Sequence, residues 1–109
     1  MLDPEALAAL SELLGDDPAA LAELVEAFVE EAPGRLAELR SDDVAVAGRA
    51  AHTLKSNALA FGAVELAAVC RELEAAAREG ELDGSRDLID RADAEWTRVN
   101  AGLAELASR

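Results

Sequence analysis

At 109 residues the chain is long enough for one compact domain, which excludes a multi-domain enzyme. Apolar residues make up 51% and aromatics only 3%, the apolar share being mostly Ala and Leu, so an all-α fold with a real core is expected rather than a sheet or a disordered chain. With 23 acidic against 10 basic residues the net charge is −13, a field that repels a phosphate backbone or an anionic membrane and excludes both as partners.

Asp3-Pro4 reads as an N-cap followed by Pro at the first helical position, and Leu7, Leu10 and Leu14 recur at helical spacing until Gly15. This predicts a short helix over residues 4 to 14. Asp17-Pro18 repeats the start signal, and Leu21, Leu24, Val25, Phe28, Ala32, Leu36 and Leu39 then form one stripe of period near 3.6. Pro33 lies inside that second helix and removes a backbone hydrogen bond, so a kink near Val29 or a break is expected, the unbroken stripe favouring the kink.

Ser41-Asp42-Asp43 caps a third helix over roughly 43 to 61, ended by Gly62, which makes a tight hairpin to the next helix. The fourth runs from Ala63 to Glu79 with Leu66, Val69, Cys70, Leu73 and Ala77 on one face and Gly80 as its stop. After the turn-forming Leu82-Asp83-Gly84, a fifth pattern carries Leu88, Ile89, Ala92, Trp96, Val99, Leu103 and Leu106 towards the C-terminus. The expected architecture is an antiparallel up-and-down four-helix bundle with a short extra N-terminal helix, one domain over residues 1 to 109.

The N-terminus MLDPEALAAL lacks the basic flank of a signal peptide, and the uncharged stretches fall far short of the roughly 20 residues of a bilayer span. A cytoplasmic protein is expected. Cys70, the sole cysteine, sits among apolar residues at helical spacing and reads as a small buried group. Metal clusters, Glu-x-x-His pairs and a phosphate-binding Gly-rich loop are absent from the sequence, so no metal site or cofactor of its own is expected.

What stands out is His52, the only histidine, three residues before Lys55, the only lysine; the other basic residues are all Arg. Random placement puts the sole Lys one helical turn from the sole His in only about 4% of cases. With His52 as zero, Lys55, Ser56 and Leu59 fall at about 300°, 40° and 340° on the third helix, opposite a core stripe of Ala47, Ala50, Leu54 and Phe61 near about 190°. His52 is therefore expected at least partly exposed. A neutral imidazole is a nucleophile that can accept a phosphoryl group, a neighbouring ammonium suits phosphoryl oxygens, and Ser56 adds a hydroxyl.

Gly48 costs about 1 kcal/mol in a helix interior, which asks for an offsetting role. One turn before His52, it either leaves the imidazole open to a partner or packs against another helix. Asn57 falls near about 140° and is expected to bond a neighbouring helix.

The run Ala51-His52-Thr53-Leu54-Lys55-Ser56-Asn57-Ala58-Leu59-Ala60-Phe61-Gly62-Ala63 resembles the signature of histidine phosphotransfer (HPt) domains, in which His-x-x-Lys precedes small residues and a helix-ending Gly. The likeness extends into Leu66, Cys70 and Leu73-Glu74 and to the Pro33-interrupted second helix, covering roughly residues 17 to 107. Ser56 and Asn57 stand where the family commonly has Gly and a small residue, a variant within its pattern.

The resemblance implies that His52 is the phosphoryl acceptor, that Lys55 and Ser56 assist the phosphate, and that Gly62 shapes the hairpin. It implies a phosphocarrier rather than an enzyme, paired with a response-regulator receiver domain or a hybrid histidine kinase, with Mg²⁺ held by the receiver. Gly48, Leu59 and Phe28 are then the expected docking residues, Phe28 because the second helix carries an apolar stripe at Val25, Phe28 and Val29 wider than a core needs. A monomer is favoured because no further apolar stripe is visible. The contrasting reading is an acidic interaction module in which His52 is never phosphorylated.

Overall fold

A computed structural model describes residues 2–108. Met1 and Arg109, the two ends of the expected domain, lie outside the described residues. Five α-helices follow in order: α1 (Pro4–Leu13), α2 (Pro18–Glu38), α3 (Val44–Ala60), α4 (Val64–Arg78) and α5 (Arg86–Ala107), with a 3₁₀ turn at Leu82–Gly84 before the last. Each of the first three helices starts where an aspartate accepts from a backbone N–H two residues on: Asp3 from Glu5, Asp17 from Ala19 and Asp43 from Ala45. Gly15, Gly62 and Gly80 end helices with φ between 70° and 73°, the left-handed conformation that glycine adopts without a Cβ penalty.

Helix α2 is continuous through Pro33, so the break does not occur. Pro33 is exposed and its neighbours Ala32 and Leu36 are buried, so the ring points to water while the apolar stripe stays in register.

Helices α2 to α5 run alternately up and down the long axis of a 42 × 21 × 20 Å bundle, and α1 closes the end where α3 turns into α4. That closure is specific: Asp3 N–H donates to the Gly62 carbonyl at 2.8 Å. The most extensive helix contact is α3 against α4. On α3 the residues turned inward are Ala47, Ala50, Ala51, Leu54 and Ala58, all at zero exposure, and so small a set lets the α4 backbone come close. Leu66, Val69, Cys70 and Leu73 fill the facing side of α4. Burial pushes the Cys70 thiol up to about 12, which keeps it protonated and inert.

All three aromatic residues of the chain meet in one cluster. Phe28 stacks on Phe61 with centroids 5.4 Å apart and meets Trp96 edge-on at 5.0 Å. The expectation that Phe28 docks a partner is therefore overturned: at 3% exposure it belongs to the core. The surplus width of the α2 stripe is real, but it emerges at Leu24, 39% exposed, because Val25, Phe28, Ala32 and Leu36 turn inward. Among the described residues no helix is long and apolar enough to cross a membrane.

Candidate functional site

His52 sits in the middle of α3, held by a helix that is buried on its other side, so the imidazole stands on a rigid support with 60% of its side chain exposed. Its Nδ1 lies 2.8 Å from Glu74 Oε2 on α4. The other Glu74 oxygen, Oε1, accepts from Lys55 Nζ at 2.5 Å. A single carboxylate thus receives a donor from each of the two singleton residues of α3.

The pairing follows from the hairpin. His52 is ten residues before Gly62 and Glu74 twelve after it, so the antiparallel register sets them side by side, and the close approach of α3 to α4 brings a glutamate within reach. The hydrogen bond from Lys55, and after it the one from His52, hold the Glu74 carboxyl below the ordinary glutamate value against the opposing effect of burial. An ionised carboxylate can only accept, so Nδ1 must carry the proton. In the neutral ring this leaves the lone pair on Nε2, the nitrogen not engaged by Glu74.

Lys55, expected to assist a phosphate from the His52 face, is engaged within the protein. Its side chain is 21% exposed and its charge is matched by Glu74, itself 16% exposed. Ser56 is exposed and its hydroxyl makes no hydrogen bond among the described residues, which leaves it free for a ligand. Leu59 is 48% exposed on the His52 face. Gly48 does not stand open: a Cβ there would lie 3.3 Å from Ala77 Cβ, so the missing side chain lets α4 approach, the helix-packing reading. Gly62 (φ 72°) is buried under Asp3, and a Cβ would come within 2.7 Å of Asp3 N. Asn57 is half-buried and, among the described residues, makes no side-chain bond to a neighbouring helix, contrary to expectation.

A shallow groove of about 790 Å³ opens beside the imidazole between α3 and α4. Its lining includes Val44, Gly48, Ala77 and Glu74, with Arg49 and Arg78 as its cationic side chains. Arg78 Nη2 is 3.9 Å from Glu74 Oε2 with 75% of its side chain exposed. Glu74, Arg49 and Arg78 are site residues that the sequence reading did not assign. The available signal for Glu74 was the need of a sole lysine on an inward-tending flank for a counter-charge on the helix across the Gly62 turn.

Comparison with known proteins agrees with this geometry. A family model described as Hpt domain matches residues 23–108. The crystal structure of histidine-containing phosphotransfer protein B (HptB) from Pseudomonas aeruginosa PAO1 is similar at a TM-score of 0.85 and 33% sequence identity, over 99% of this chain and 95% of that one. No curated protein matches.

Proposed function

Since the chain belongs to the Hpt domain family, whose members carry phosphoryl groups in phosphorelays, we propose that His52 Nε2 takes a phosphoryl group from a receiver-domain aspartate or a hybrid kinase and passes it to another receiver aspartate. The chain acts as one phosphotransfer unit in the cytoplasm. The observation that carries it is the Glu74 carboxylate on Nδ1, which leaves a nucleophilic lone pair on the ring nitrogen that Glu74 does not hold.

The Nε2 lone pair forms the N–P bond while the P–O bond of the aspartyl phosphate breaks, its electron pair returning to the receiver's carboxylate. Nδ1 keeps its proton throughout. Bond formation makes the ring cationic, and that charge develops beside the Glu74 carboxylate, 2.8 Å from Nδ1. Onward transfer reverses these steps at the next aspartate. Lys55 acts through Glu74, fixing the carboxylate that orients the ring, and the Ser56 hydroxyl is free to donate to the phosphoryl oxygens. Electrostatic stabilisation of the in-line transfer would be supplied by the receiver, whose Mg²⁺ would neutralise charge on the phosphoryl oxygens. The receiver docks over His52, with Leu59 as its apolar contact and the groove floored by Gly48 at its edge.

The test is phosphoryl transfer from a panel of phosphorylated receiver domains with Mg²⁺, following acid-labile, alkali-stable phosphate on this protein and on His52→Gln. Label on the unchanged protein and none on the variant is expected. No transfer from any receiver to the folded protein refutes the carrier reading and favours the interaction module.

A further inference from the structure

Sequence alone gives the phosphoryl charge to Lys55, the residue nearest His52 in the motif. The structure makes that assignment insufficient. Lys55 and Glu74 form a pair of zero net charge, with both side chains mostly buried. A phosphoryl group arriving on Nε2 brings about two negative charges into a site whose nearest ionised neighbour on the ring is a carboxylate. Without further cations the product would sit in a locally negative site on a chain of net charge −13.

Two guanidinium groups line the groove that His52 also lines, one from each helix. Arg78 follows Glu74 by one turn on α4; its 3.9 Å separation from Glu74 Oε2 is too long for a hydrogen bond, and its exposed side chain is free to swing. Arg49 precedes His52 by one turn on α3, on the flank of the ring away from α4 by helix geometry, and makes no ion pair among the described residues. The floor between them is Gly48 and Ala77, small enough to leave the space above empty. Guanidinium forks match phosphoryl oxygens bidentately, which a single ammonium does not.

We propose that Arg49 and Arg78, reaching in from the two sides of His52, are the residues that hold the phosphoryl group once it is on Nε2, while Lys55 serves the ring through Glu74. The inference rests on His52 being the acceptor. Arg78 leaves its loose approach to Glu74 for the phosphoryl oxygens; Lys55 stays where it is and keeps Glu74 ionised.

The experiment loads the protein with phosphoramidate, which needs no protein partner, and titrates the ³¹P resonance of the phosphohistidine. Arg49→Gln/Arg78→Gln raises the phosphoryl titration by about half a unit to one unit, since the dianion loses its counter-charges, and lowers the share of phosphate that this protein retains at equilibrium with a receiver by about tenfold. Arg49→Lys/Arg78→Lys restores most of the titration, and Arg91→Gln, on α5, leaves it unmoved. A double variant that titrates and partitions like the unchanged protein overturns the proposal, as does an equal shift in Arg91→Gln, which would make the effect one of net charge. A protein that loads with phosphoramidate but exchanges with no receiver fails as a carrier, while the titration still judges the two arginines.

Discussion

Replacing Glu74 by Gln tests whether one carboxylate does two jobs. A Gln side chain has one acceptor oxygen and one donor NH₂, so it can satisfy Nδ1–H of His52 or the ammonium of Lys55 but not both. A hydrogen bond to a charged group contributes about 1.5–3 kcal/mol when shielded from solvent, and with His52 60% exposed, screening by water brings it below that range, to about 1 kcal/mol or a fivefold bias between ring tautomers. The Lys55 pair lies between the exposed case, worth about 0–1 kcal/mol, and the buried one, where removing a partner costs about 3–5, so a stability loss of about 1–2 kcal/mol is expected. Glu74→Gln should therefore slow phosphotransfer to a receiver by about fivefold and shift the ring ¹⁵N resonances towards a mixture of tautomers.

The same variant makes a pH prediction. The Glu74 carboxyl is lowered in the folded state, so its contribution is fully present above the ordinary glutamate range of about 4 and is lost as pH falls through the lower folded value. The stability advantage of the unchanged protein over Glu74→Gln should be constant above about pH 5 and shrink between about pH 5 and about pH 3 in denaturant melts. A variant that retains the Nδ1–H tautomer, the transfer rate and a constant stability gap across that range would refute the reasoning.

Phe28→Ala removes the ring between Phe61 and Trp96 and should cost about 3–5 kcal/mol, lowering the melting temperature by more than about 12 °C without a specific loss of receiver affinity at temperatures where it stays folded. Gly62→Ala pays for the left-handed conformation and drives a Cβ into the Asp3 backbone, whereas Gly80→Ala at φ 73° meets nothing; the second should lose about 1 kcal/mol and the first at least about 2, with faster amide exchange in α1. Leu59→Asp should change stability by less than about 0.5 kcal/mol in thermal melts and weaken receiver binding at least about fivefold by calorimetry.

The helices were legible because their boundaries are local chemistry. Asp3, Asp17 and Asp43 cap the N–H groups two residues on, and Gly62 and Gly80 take the one conformation other residues resist, so sequence punctuation and structure agree within a residue or two. Burial on α2 was less legible. Leu21, Leu24, Val25 and Phe28 are all apolar along one side, and which of them turns outward depends on where α3 and α5 lie, which no periodicity within α2 contains. Pro33 does not break α2: its ring is exposed, off the packed face, so the apolar stripe runs on through it.

The site divides along the same line. His52 and its exposure follow from α3 alone, because the apolar stripe opposite it fixes the outward face. Glu74 does not, because its contacts cross from one helix to another and depend on the spacing between them. That spacing is set by the small residues of α3, above all Gly48 against Ala77 at 3.3 Å and the fully buried alanines along the seam. A larger residue at Gly48 would hold α4 further away and strand Lys55 without its carboxylate. The helix-propensity cost of Gly48, about 1 kcal/mol, is thus offset by a contact whose consequence appears one turn further on, in the ring nitrogen that His52 presents to a partner.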